Sequence, residues 1–141
     1  LMYRGSDQAA GIAAGIAAFG PGKIISSTAA RCLATVAPLA ALTGLIVKAT
    51  DNISQDALEG GTSDIPGIVA RRLKKRVTAV LCSHGPVLPR LISQFAAQSG
   101  GEMDATLRAA SSLDTGDFTV LHFSTTNRAA GIVAVETHSL A

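Results

Sequence analysis

Apolar residues in this chain fall into short blocks that alternate between two lengths, and the alternation predicts the elements. From Ser6 to Phe19 the sequence is small and apolar, with Ser6 as the expected N-cap and Gly20-Pro21-Gly22 as the stop. Gly11 and Gly15 lower the helicity of that segment but, four apart, would let it pack closely on a sheet. Lys23 to Ser27 is a five-residue run containing Ile24 and Ile25, short enough for a buried strand. A helix is predicted from Thr28 to Thr43, ended by Gly44, then a strand from Leu45 to Ala49 and a polar loop from Asp51 to Ser63. Ile65 to Lys75 reads as a helix with Pro66 in its first turn. Val77 to Cys82 is the clearest buried strand, followed by a helix from Val87 to Gln98 that stops at Gly100-Gly101. Met103 to Ser112 has no decisive pattern. Phe118 to Phe123 and Gly131 to Thr137 read as a hairpin joined by the polar loop Ser124 to Arg128.

Helices alternating with strands before a final hairpin predict an α/β sandwich, three-layered, with a largely parallel sheet and an antiparallel edge. The 141 residues show no repeat or linker, so residues 1–141 are read as one domain. With 48% hydrophobic and 16% charged residues the chain can build a core, mostly of Ala, Val, Ile and Leu. A net charge of +2 argues against nucleic acid and against an anionic membrane surface as partners. The basic run Arg71 to Arg76 reads as the solvated face and end of a helix. Ala29 to Val47 is apolar, but Arg31, Pro38 and its alanines make a membrane span a poor reading. Cys32 and Cys82 lie outside any zinc spacing and read as free buried thiols of a reducing, cytoplasmic protein.

Chemistry is expected where strands end. In open α/β sheets ligands bind beyond the carboxyl ends of the strands. Ile24-Ile25 leads into Ser26-Ser27-Thr28-Ala29-Ala30-Arg31, and Val80-Leu81-Cys82 leads into Ser83-His84-Gly85-Pro86. Both stretches enter helices, whose free N–H groups and dipole favour an anion, and the Arg31 fork suits phosphoryl oxygens. His84 could add a hydrogen bond or stabilise charge at phosphorus. Taken alone, a Ser-His-Gly turn is more often local capping than catalysis.

Three segments together carry a resemblance. Leu1 to Ala9 (Leu1-Met2-Tyr3-Arg4-Gly5-Ser6-Asp7-Gln8-Ala9) resembles the "L-T-x-x-G-x-x-Q-A" stretch of the histidine phosphatase superfamily, which includes the phosphoglycerate mutases. Ser26 to Thr35 resembles its "S-S/D-x-x-R-x-x-x-T" segment, and Ala79 to Gly85 its "V-x-x-x-S/T-H-G" strand. The length resembles short members of the SixA phosphohistidine phosphatase type. Arg31 to Ala40, with Cys82 to Pro89, is most similar to the domain fused behind MutT-type Nudix hydrolases in actinobacteria.

The resemblance implies a phosphoglycerate-mutase-like fold and a phosphoric-ester hydrolase working through a phosphohistidine. Arg31, His84 and Gly85 would bind the phosphoryl group, and His84 would be the second pocket histidine. The family's nucleophile sits in an Arg-His-Gly segment on a first strand, which is not found in these residues; an upstream strand is therefore expected in the parent protein. Gln55 stands where the family often has its acid, so Asp56, or Glu59, would donate the proton to the leaving group. No metal or cofactor is implied in this domain, and Mg2+ only for an upstream Nudix domain. The implied partners are small phosphorylated substrates, a nucleotide or a phosphohistidine. The alternatives are a stand-alone protein-phosphohistidine phosphatase and a degenerate phosphate-binding or dimerisation module, and a homodimer is a further expected partner arrangement. His122 and His138 have no motif around them and read as structural or surface residues.

Overall fold

In the computed structural model, residues 3–114, 116–124 and 126–139 are described, with side chains from residue 9 onward. Helix α1 spans Tyr3–Ala17, so Ser6 lies within the helix and not at its cap. Strand β1 (Lys23–Ser27) is followed by α2 (Ala30–Thr43), which ends at Gly44 with φ 75°. That left-handed conformation is cheap for glycine and terminates the helix as the sequence predicts. Strand β2 is Val47–Thr50, two residues later than its apolar pattern begins.

The segment predicted as a loop is partly helical. A 3-10 turn (Asp51–Ile53) leads into α3 (Gln55–Gly60), where the Ser54 hydroxyl accepts from the Ala57 N–H at 3.1 Å. Ile53 and Ala57 are buried, so two apolar anchors and one cap suffice to fold a segment without a visible apolar stripe. Helix α4 (Ile65–Lys75) is capped by Asp64, and β3 is Ala79–Cys82. Helices α5 (Leu88–Gln98) and α6 (Ala105–Ala110) precede the hairpin β4 (Phe118–Phe123) and β5 (Ile132–His138).

Strands β2, β1 and β3 form a wholly parallel sheet in that order. Ile24 and Ile25 show why it is the middle layer of three. Successive side chains of a strand point to opposite faces. Ile24 packs with Ala13, Val36 and Leu39 from α1 and α2, while Ile25 packs with Ile53, Ile65, Val69, Val87 and Leu91. Both are at most 2% exposed.

The hairpin is not an edge of this sheet, as the sequence reading expected, but a separate two-stranded sheet. Leu121, Ile132 and Val135 pack on Ile92, Ala96, Leu107 and Ala110 of α5 and α6. Phe123 meets Phe95 at 5.9 Å between ring centroids, and Phe118 meets Phe19 at 6.4 Å. The hairpin thus buries its apolar side without pairing to β3. What remains between β3 and β4 is a groove of about 520 Å³, walled by Val80 and Cys82 on one side and Phe118 and Leu121 on the other. Arg72 and Arg76, from the basic run, border the same groove. Their Nε atoms are buried without a partner, and Arg76 Nη1 donates to Ser124 O at 3.0 Å. So two of the five basic residues of that run are turned inward, whereas Arg71, Lys74 and Lys75 are exposed. Among the described residues no helix is long and apolar enough to cross a membrane.

Candidate functional site

Parallel strands end on one side of their sheet, so the residues following β1, β2 and β3 meet there. The chain is tied together across these ends. Thr28 Oγ1 donates to Asp51 Oδ1 at 2.5 Å, and Ser83 Oγ donates to Ile53 O at 2.5 Å. Arg31 occupies the first turn of α2, and His84 the turn before α5. Fifty-three positions apart in sequence, they meet: Arg31 Nη2 lies 2.9 Å from His84 Nδ1.

That contact fixes the tautomer. An arginine can only donate, so Nδ1 is the acceptor and carries no proton. The neutral ring then holds its proton on Nε2, which donates to Ser27 Oγ at 2.8 Å. Ser27 is fully buried, and its oxygen also accepts from the Ala29 N–H at 3.2 Å. Ser27 is the site residue that sequence reasoning missed: it reads as the end of a strand, and its role depends on a partner 57 positions away. His84 O accepts from the N–H groups of Val87 and Leu88, which anchors the histidine's backbone at the entry to α5.

Electrostatics agree with a neutral imidazole. Burial of His84, and then the Arg31 charge, push its pKa below the usual 6.5, while the Asp56 carboxylate opposes the shift. Asp56 is exposed in the first turn of α3, near enough for its charge to act on His84. Gln55, beside it, has its amide donating to Glu59 Oε1 at 3.1 Å. Gly85 is exposed, and a Cβ there would meet nothing within 4 Å, so space rather than packing surrounds this position.

The depressed pKa carries a stability consequence. The unfolded chain takes up a proton near pH 6.5, before the folded one does. His84's contribution is therefore whole above that pH and is lost as pH falls through the folded value. Urea midpoints of the parent chain and of His84→Gln should differ less at pH 5 than at pH 7.5. A gap that widens on acidification would show that His84 is protonated in the folded state.

Both thiols are free, as the sequence suggested, with Cys32 buried and Cys82 half-buried, and they lie close to each other and to the site. Cys32 follows Arg31, and its sulfur lies 3.7 Å from His84 Nε2 and 3.5 Å from Ser83 O. Cys82 Sγ donates to Cys32 O at 3.7 Å. His122 and His138 lie on the hairpin, where both approach Glu136, at 2.5 Å and 3.3 Å. The hydrogen bond from His122 holds the half-buried Glu136 carboxyl below its usual range. Among the described residues no group of three or more His, Cys, Asp or Glu is placed to hold a metal ion.

Leu1 and Met2, which begin the first segment of the resemblance, lie outside the described residues. No model of a protein family matches the sequence, and no curated protein matches it by sequence. Solved structures do. Mycobacterial glucosyl-3-phosphoglycerate phosphatase in complex with VO3 matches with a TM-score of 0.66 and 16% identity, covering 94% of this chain and 82% of that one. The same enzyme with inorganic phosphate matches with a TM-score of 0.63 and 16% identity, over 98% and 85% of the two chains. A protein described as mycobacterial hydrolase 1 gives 0.58 at 16% identity, over 78% and 73%. What the chain shares with these proteins is their α/β fold, of the phosphoglycerate-mutase-like kind.

Proposed function

We propose that this chain is a phosphoric-ester hydrolase domain whose phosphoryl site is built on Arg31 and His84, with Gly85 at its rim. The observation that carries this reading is the Arg31–His84 contact at the carboxyl ends of β1 and β3. Arg31 spends one of its five donors on His84 Nδ1 and keeps the rest for an anion. A phosphoryl group that draws the guanidinium onto itself would free Nδ1. With a dianion in place of a bare cation beside it, the imidazole would gain a proton and donate to a phosphoryl oxygen. Binding and proton uptake by His84 would then be one event.

Cleavage requires a nucleophile in line with the leaving group. The groove between β3 and β4 suits a strand that delivers one. Both bordering strands pair on one side only, and apolar residues line both walls. A β-strand apolar on both faces and parallel to β3 would end beside His84, where the resemblance calls for the Arg-His-Gly histidine. Asp56 would then supply the leaving-group proton from α3, since Gln55 cannot. The solved relatives support a small phosphomonoester as substrate, the class named for glucosyl-3-phosphoglycerate phosphatase. Nucleotides as substrates, and a fused Nudix domain with its Mg2+, rest on the sequence resemblance.

Titration of the chain with orthovanadate, followed by p-nitrophenyl phosphate hydrolysis with and without an extended peptide ending in Arg-His-Gly, tests the reading. The expected result is vanadate binding by the chain and hydrolysis only with the peptide. Absence of vanadate binding would remove the phosphoryl site. Binding without hydrolysis under either condition would leave a phosphate-binding module and overturn the hydrolase.

A further inference from the structure

Two thiols that the proposed reaction does not use stand at its edge. Cys32 sits in the first turn of α2, directly after Arg31, and is 3% exposed. Cys82 ends β3, directly before Ser83 and His84. The order β2-β1-β3 and the return through α2 bring these positions together, although fifty residues separate them. Cys82 Sγ reaches Cys32 O at 3.7 Å, and the Cys32 sulfur lies against the His84 ring, 3.7 Å from Nε2 and 3.9 Å from Nδ1.

We propose that Cys32 and Cys82 form a reversible disulfide under peroxide, and that this bond switches off anion binding at the adjacent Arg31–His84 pair. The second half of this statement rests on the function proposed above; the first does not.

The environment divides the work between the two sulfurs. A hydrogen bond from Cys82, the Arg31 charge and a hydrogen bond from Ser27 outweigh burial and bring the Cys32 thiol down to about 7. The same interaction with Cys32, together with burial, pushes Cys82 up. Cys32 is thus the thiolate that attacks, and Cys82 the thiol that resolves. Cys82 also borders the β3–β4 groove.

The steps balance. The Cys32 thiolate attacks one oxygen of hydrogen peroxide and the O–O bond breaks. Hydroxide leaves as water after taking up a proton, and Cys32 becomes a sulfenic acid. The Cys82 sulfur then attacks the sulfenyl sulfur, the S–O bond breaks, and hydroxide leaves with the Cys82 proton as a second water. Two thiols are oxidised by two electrons and one peroxide is reduced. The new bond would tie the start of α2 to the end of β3. It would pull the Cys32 sulfur off the His84 ring and fix the spacing between Arg31 and His84, which an incoming anion has to open.

The test uses the whole chain, reduced, peroxide-treated, and peroxide-treated then incubated with dithiothreitol. After alkylation of free thiols and trypsin digestion, the oxidised sample should contain peptides 32–48 and 77–90 joined by a disulfide. Peroxide-treated Cys82→Ser should give no crosslink and should carry dimedone on Cys32, with circular dichroism confirming that it folds. Orthovanadate affinity should fall at least about tenfold on oxidation, the equivalent of one charge-assisted hydrogen bond, and return with dithiothreitol. Both cysteines recovered alkylated after peroxide treatment would overturn the disulfide. A crosslink with unchanged vanadate affinity would overturn the switch. Failure of the reduced chain to bind vanadate would instead strike the proposed function, and the crosslink would stand or fall separately.

Discussion

Arg31→Ala should weaken orthovanadate binding by one to two orders of magnitude while leaving the urea midpoint of the chain nearly unchanged. The two halves of this expectation have different origins. Arg31 is exposed, and among the described residues its side chain hydrogen-bonds His84 Nδ1, so the fold loses little. An anion at the site, by contrast, would lose bidentate, charge-assisted hydrogen bonds, each worth about 1.5–3 kcal/mol. At 1.4 kcal/mol per tenfold, one such bond corresponds to roughly 10- to 150-fold in affinity.

The arginine charge also helps to hold His84 neutral, so its removal lets His84 protonate more readily. An imidazolium would return part of the lost attraction. The defect of Arg31→Ala should therefore be smaller at pH 5.5 than at pH 8, and Arg31→Lys, with the charge but not the fork, should fall between. Isothermal titration of the three proteins at both pH values measures this. Equal affinity of Arg31→Ala and the parent chain would place the anion elsewhere.

Legibility in the sequence followed the range of the interactions. Lys23–Ser27 and Ala79–Cys82 could be read as strands because a short apolar run with β-branched residues is a local signal. The positions of Arg31 and His84 at helix entries were legible for the same reason. Their contact was not, because it depends on β1 and β3 being neighbours, and strand order is set by the packing of helices that no single window contains. Cys32 and Cys82 illustrate this most clearly: two unremarkable thiols in the chain become one cluster in the sheet. Helix α3 escaped notice because six residues cannot show a period, and only the Ser54 cap marks it. The hairpin was legible as a hairpin. That it stands apart from the parallel sheet, leaving a groove, depends on Phe118 finding Phe19, Phe123 finding Phe95 of α5, and Leu121 finding the buried faces of α5 and α6 instead.

The core beneath the site provides the converse experiment. Ile25 lies in the centre strand of the sheet, 2% exposed, against Ile53, Val69, Val87 and Leu91. Truncation to alanine removes buried methyl and methylene groups and leaves a cavity, because strands paired on both sides of β1 cannot close in on it. The expected loss is about 2–5 kcal/mol, against a total near 5–15 kcal/mol for a chain of this kind. The urea midpoint should drop steeply with an unchanged slope. Ile46→Ala, at a position 90% exposed, should shift it little.

Vanadate affinity should behave in the opposite way. Ser26 is in register with both Ala49 and Cys82, and Ser27 is in register with Thr50, so backbone pairing holds the residue that orients His84 whatever fills the space under Ile25. Folded Ile25→Ala should bind vanadate within about twofold of the parent, a few tenths of a kcal/mol. Arg31→Ala would then remove binding and spare stability, while Ile25→Ala removes stability and spares binding. A loss of affinity in Ile25→Ala as large as that in Arg31→Ala would mean that side-chain packing beneath β1, and not the strand register, sets the position of the His84 ring.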